Sequence, residues 1–115
     1  MASVFKNFGQ AIDTTDGSTN DIYTAGTGVQ AVVHALFISN KSETTTAAVN
    51  VKCTTDGGSN FFHIARAISV PPRNTITIDK PINMEQNDKL RVYTEFNQDS
   101  TFPDCEVFAS ILEVS

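Results

Sequence analysis

Apolar residues recur along this chain at every second position in short runs, and clusters of Gly, Pro, Asn, Asp, Ser and Thr separate the runs. Alternation of this kind belongs to β-strands. A 3.6-residue apolar spacing does not persist over about ten residues anywhere, so no helix is expected. The longest run is 29–39, Val-Gln-Ala-Val-Val-His-Ala-Leu-Phe-Ile-Ser, with Thr-Ala-Gly-Thr-Gly before it and Ser-Asn-Lys-Ser beginning at its end. Strict alternation places Val33, Ala35 and Phe37 on one face and Val32, His34, Leu36 and Ile38 on the other. Both faces are apolar, so this strand is expected in mid-sheet or beneath a neighbouring subunit.

The other segments follow in order. Residues 1–12 carry Val4, Phe5, Phe8 and Ile12 between polar residues and read as an edge strand or an arm that packs elsewhere. Residues 13–20 form a polar loop, and 21–24 a brief strand ended by Ala25-Gly26-Thr27-Gly28. Segment 47–54 alternates Val49, Val51 and Cys53 against Ala48, Asn50, Lys52 and Thr54, the pattern of a strand with one face in water. Asp56-Gly-Gly-Ser-Asn60 suits a hairpin connection. Segment 61–70 then sets Phe62, Ile64, Ile68 and Val70 against Phe61, His63, Ala65 and Ala67, with Arg66 intruding. Pro71 and Pro72 break the ladder, 75–79 alternates again, and Pro81 interrupts before Ile82 and Met84. After a turn at 85–88, segment 89–96 turns Leu90, Val92, Thr94 and Phe96 inward and Lys89, Arg91, Tyr93 and Glu95 outward. A loop over 97–104 precedes the closing strand 105–114, where Val107, Ala109 and Ile111 oppose Phe108, Leu112 and Val114.

About eight short strands with turn signals between them predict an all-β fold, an antiparallel β-sandwich of jelly-roll or Ig-like type. The domain division is residues 1–12 as arm or edge strand and 13–115 as a single sandwich. Short connections predict that strands adjacent in sequence pair antiparallel. Segments 29–39, 61–70 and 105–114 are apolar on both faces, whereas a sandwich buries one face of each sheet. This surplus predicts a subunit interface; the alternative is that loops cover these strands.

Composition narrows the function. In 115 residues, 8 Lys and Arg stand against 13 Asp and Glu, a net charge of −5. No basic cluster offers a phosphate footprint, so nucleic acid is not an expected partner. No run approaches the ~18 apolar residues of a membrane span. The first residues lack the basic and apolar regions of a secretory signal, so synthesis and retention in a cytoplasm are expected until assembly. On those compartment grounds Cys53 and Cys105 read as two buried free thiols rather than a disulfide.

Catalytic constellations are missing. His34 and His63 lack ligand-spaced Cys, Asp or Glu and read as core or interface histidines. The acidic turns at Asp13-Thr-Thr-Asp-Gly and Asp56-Gly-Gly do not match a calcium loop. No Gly-x-Ser-x-Gly elbow and no phosphate-cradling glycine loop before a helix occurs. Glu95 and Asp99 read as solvated carboxylates. The expectation is a protein that is not an enzyme, with no cofactor, no metal and no catalytic residues. A carbohydrate- or receptor-binding sandwich is a second class; without Trp, its aromatic platforms would be Tyr23, Tyr93 and Phe102.

Three phrases carry a family resemblance. They are residues 21–40, Asp-Ile-Tyr-Thr-Ala-Gly-Thr-Gly-Val-Gln-Ala-Val-Val-His-Ala-Leu-Phe-Ile-Ser-Asn; residues 56–63, Asp-Gly-Gly-Ser-Asn-Phe-Phe-His; and residues 78–92, Ile-Asp-Lys-Pro-Ile-Asn-Met-Glu-Gln-Asn-Asp-Lys-Leu-Arg-Val. With the closing Ala109-Ser-Ile-Leu-Glu-Val114, the chain resembles the small all-β virion structural proteins of tailed bacteriophages, particularly those of marine bacteria and cyanobacteria. Gly26 stands where such proteins commonly carry Pro. The resemblance implies a virion protein assembled in the host cytoplasm. The role it implies first is capsid decoration or cement, held to the major capsid protein or other virion proteins, often as a homotrimer. The alternative role is a tail, neck, baseplate or fibre component. The family brings no catalytic residues. Within this reading, Val4, Phe5 and Phe8 are the expected interface residues.

Overall fold

The structure is a computed structural model that describes residues 3–12, 21–57, 59–95 and 104–115. The elements are β1 (Ser3–Ile12), β2 (Asp21–Thr24), β3 (Gln30–Asn40), β4 (Ala47–Thr54), β5 (Phe61–Val70), β6 (Thr75–Ile78), β7 (Ile82–Met84), β8 (Lys89–Thr94) and β9 (Cys105–Val114). They form two antiparallel sheets. The first runs β1-β9-β3-β6, with β7 also on β3; the second runs β2-β8-β4-β5. One core fills the space between them: Val33, Leu36, Ile38, Val107 and Ile111 from the first sheet meet Val49, Val51, Leu90 and Val92 from the second. The fold is an all-β sandwich.

Strands β6 and β7 are two pieces of one edge strand. Thr75–Ile78 pairs with the second half of β3, and Ile82–Met84 with its first half. Between them lie Asp79, Lys80 and Pro81, and a proline has no N–H for the ladder. With the two pieces counted together, the strand order is that of a jelly roll. The expected pairing of sequence neighbours fails in this topology. Only β4 and β5 are consecutive strands that pair; most other connections cross from one sheet to the other. Crossing lets each short amphipathic strand bury its apolar face while its neighbours in the sheet come from distant parts of the chain.

Three bulges shift the expected faces. On β3, Val33 pairs with Ile111 but Ala35 with Ser110, so His34 is an extra residue. The inward set is therefore Ala31, Val33, Leu36 and Ile38, while Val32, His34 and Phe37 point away from the core. On edge strand β5 the register slips twice against β4, once near Ala67 at φ 52° and once beside His63. Strand β4 also departs from expectation, because its second face is buried as well: Asn50, Lys52 and Thr54 are covered. On β8, Tyr93 is likewise buried on the outward side. Strand β9 keeps its alternation, with Cys105, Val107, Ala109 and Ile111 inside. The polar loop at 13–20, residue Phe96 and the loop at 97–103, with Asp99 and Phe102, lie outside the described residues.

Polar side chains fasten the loops at the two ends. Asn40, buried at the end of β3, donates through Nδ2 to the carbonyls of Thr45 (2.8 Å) and Val70 (3.0 Å). Its Oδ1 accepts from the Ser42 N–H at 3.0 Å. At the opposite end the buried Asp88 carboxylate accepts from Thr54 Oγ1 (3.2 Å), Gly57 N (3.0 Å) and Glu85 N (2.9 Å). Each satisfies backbone groups that a buried turn would otherwise leave unpaired.

Candidate interaction surface

Because Cys105, Val107, Ala109 and Ile111 face the core, Glu106, Phe108, Ser110 and Leu112 face away from it. Register carries this outer face across three strands. Phe5, Leu112 and Val32 form one row, Asn7, Ser110 and Ala35 the next, and Gly9, Phe108 and Phe37 a third. Two apolar rows thus flank a row of small and polar residues. Phe5 is 78% exposed, Phe108 45% and Phe37 38%. The rings of Phe37 and Phe108 are 6.2 Å apart. Gly9 lies beside Phe108, and a Cβ there would make an ordinary contact with its ring at 3.6 Å. The bulge at His34 turns its imidazole onto this face, 6.3 Å from the Phe5 ring, so His34 is exposed and not a core histidine.

Val4, Phe5 and Phe8 are all exposed large apolar residues, but they do not share a face. Phe5 belongs to the outer rows. Val4 and Phe8 lie on the inward side of β1, where Phe8 stacks 5.3 Å from the Tyr23 ring. Beside them, Glu113 accepts a hydrogen bond from the Tyr23 hydroxyl and pairs with Lys6 Nζ at 3.0 Å. The hydrogen bond from Tyr23, supported by Lys6, holds the Glu113 carboxyl below the usual range. Burial, and then the bond to Glu113, pushes the Tyr23 phenol upward.

On the outer side of the second sheet, side chains of β4, β5 and β8 cover one another around Lys52 and Tyr93, while Phe62 and Ile64 on edge strand β5 are exposed. Lys52 is 8% exposed and its Nζ lies 5.0 Å from the Phe61 ring centre and 5.3 Å from that of Tyr93. Arg91 stacks on Phe61 at 4.4 Å while its Nε donates to Asp21 Oδ1 at 2.8 Å. His63 Nε2 is 3.0 Å from the Tyr93 hydroxyl. These cation–π and hydrogen-bond contacts occupy the ring faces. Tyr23 and Tyr93 are both buried, so neither offers the exposed stacking platform expected of a carbohydrate site.

The remaining candidates have local explanations. The Asp56 carboxylate accepts from the N–H groups of Ser59 (2.9 Å) and Asn60 (3.0 Å), and these bonds to its own turn hold its carboxyl below the usual range. Cys53 and Cys105 are free, buried and on different sheets. Burial, with the charge of Asp88 and of Asp104 respectively adding to it, raises each thiol to about 11. His34 and His63 also lie on different sheets. Among the described residues no three His, Cys, Asp or Glu side chains gather as a metal-holding group. No helix among the described residues is long and apolar enough to cross a membrane.

Alternation revealed the apolar character of β3 and β9 but not which residues form the outer rows, because the bulge at His34 reverses the frame halfway along β3. The residues missed were Phe37, taken with the Val33 face, and His34, taken as covered. No family model, no curated protein and no solved structure matches this chain.

Proposed function

We propose that this chain is a non-enzymatic structural protein of a tailed-phage virion, acting as a capsid decoration or cement protein on the major capsid protein. The observation that carries the reading is the aromatic outer face of the first sheet, where the row of Phe5, Leu112 and Val32 and the row of Phe108 and Phe37 stand on either side of Asn7, Ser110 and Ala35. Monomeric soluble proteins rarely leave contiguous apolar patches uncovered. Burying such a patch yields about 25 cal/mol per Å² before the cost of association is subtracted. Many copies spread over a shell would multiply that modest gain. The resemblance of residues 21–40, 56–63 and 78–92 to phage virion proteins supports the same role.

The test is a Phe37→Ser, Phe108→Ser double variant in particles of the phage that encodes the chain. Both side chains point away from the core, so the variant is expected to stay folded, with its thermal transition little changed. Its copy number per particle is expected to fall, and the particles to lose their DNA at a lower temperature. A folded double variant retained at full occupancy overturns the reading. Copy number on the wild-type particle separates the two virion roles: hundreds fit a shell protein, a few dozen or fewer a tail, neck or baseplate component.

A further inference from the structure

Two packed sheets have four edges, and three of them are spoiled for further pairing. At β2 the edge is four residues long and its register slips between Asp21 and Tyr23. The β5 edge carries two bulges and the left-handed Ala67. The β6–β7 edge is cut by Asp79-Lys80-Pro81 into pieces of four and three residues. Short strands, bulges, prolines and charged side chains, lysine above all, are the devices by which natural sheets prevent edge-to-edge association. Strand β1 has only the last of these, a single lysine, Lys6, whose charge is met by Glu113 at 3.0 Å. It is ten residues long, contains no proline, and matches β9 residue for residue from Ser3–Val114 to Ile12–Cys105 without a slip. Residues 3–9 are all exposed. A regular strand with one side paired leaves alternate N–H and C=O groups directed outward along the other.

We infer that β1 is a self-pairing edge, which joins β1 of a second copy antiparallel about a two-fold axis at Phe8 and continues the first sheet across both molecules. The sequence of β1 selects this occupant and register. An axis at Phe8 sets Phe8 against Phe8 of the second copy, Val4 against Ile12, Lys6 against Gln10, Phe5 against Ala11 and Asn7 against Gly9. Apolar residues then meet apolar ones on the side of the strand that bears Phe8. The only charge on β1, Lys6, meets a neutral amide and keeps its bond to Glu113. An axis at Lys6 would oppose two like charges, which destabilises a strand pair. An axis at Asn7 would set Lys6 against Phe8 and Val4 against Gln10. The contact is isologous, so it closes at two copies and cannot build the three-fold ring implied by the family resemblance. It uses the edge of the sheet and leaves the Phe37 and Phe108 rows free, so it stands apart from the virion role.

The experiment uses the isolated full chain. Sedimentation velocity over a dilution series is expected to give twice the chain mass at high concentration and the chain mass on dilution. Amide exchange followed by NMR is expected to show every second amide from Val4 to Ala11 becoming slow only in the concentrated sample. Phe8→Lys is expected to weaken association about tenfold or more by opposing like charges at the axis. Because Phe8 also packs on Tyr23, a second variant is needed: Phe8→Cys is expected to form an intermolecular disulfide on mild oxidation, as directly opposed residues lie within bridging distance, whereas Asn7→Cys is not. A chain monomeric at every concentration overturns the inference. So does a trimer, an assembly in which the outward β1 amides still exchange rapidly, or bridging through position 7 in place of 8.

Discussion

At the scale of single residues, the buried polar side chains decide more than their number suggests. Asn40 uses both of its amide atoms, each aimed at main chain that no strand satisfies. Asn40→Ala removes three hydrogen bonds and leaves two carbonyls and one N–H to find other partners. The expected cost is about 2–3 kcal/mol, read from urea denaturation, and Asn40→Asp is expected to be at least as damaging because it turns a carboxylate oxygen toward two carbonyls. Glu113 gives a pH-dependent counterpart. Its carboxyl is depressed in the native chain below the ordinary 4.5, so it favours folding above that value, and the effect is lost as pH falls through the lower native value. The stability gap between wild type and Glu113→Gln is therefore expected to be open at pH 7 and to close in acid, as pH falls below the ordinary 4.5 and through the depressed native value. Equal gaps at both pH values would show that the Tyr23 and Lys6 contacts do not govern the titration.

At the scale of elements, strands were legible wherever alternation was undisturbed. Val49, Val51 and Cys53 on β4, Leu90 and Val92 on β8, and Val107, Ala109 and Ile111 on β9 all face the core as their spacing requires. Pro81 was legible as an interruption for the same reason, since a missing N–H is a property of the residue itself. Bulges were not legible. The extra residue at His34 depends on how two strands match in length across the sheet, and neither Val33 nor Ala35 records that locally. The burial of Asn50, Lys52 and Thr54 was hidden for a related reason. A polar face reads as solvated, whereas here Phe61, Tyr93 and the bulged β5 cover it, and the Ala67 N–H supplies Asn50 Oδ1 with a bond at 2.8 Å. The candidate surface was half visible: Phe5 and Phe108 could be named as apolar, but the rows they form come from register.

For the whole molecule, the class was legible and the connectivity was not, because the pairing that defines the sheets is almost entirely remote in sequence. Strand β1 pairs with β9, and β2 with β8, so the chain is folded back on itself end to end. Few native pairings can form before distant segments meet, and loop closure must precede the gain from burial. Refolding from urea is therefore expected on the millisecond-to-second scale typical of non-local all-β domains, measured by stopped-flow fluorescence of Tyr23 and Tyr93. A microsecond phase recovering the full native signal would contradict the long-range pairing.

The position of β9 reaches beyond the test tube. This last strand of the sequence sits between β1 and β3, the two longest partners in its sheet, and supplies Val107, Ala109 and Ile111 to the shared core. A ribosome making the chain releases its N-terminal strand long before the segment that must lie beside it. Until β9 has been made and has left the exit tunnel, the nascent polypeptide has no keystone, and its greasy segments are left without their partners.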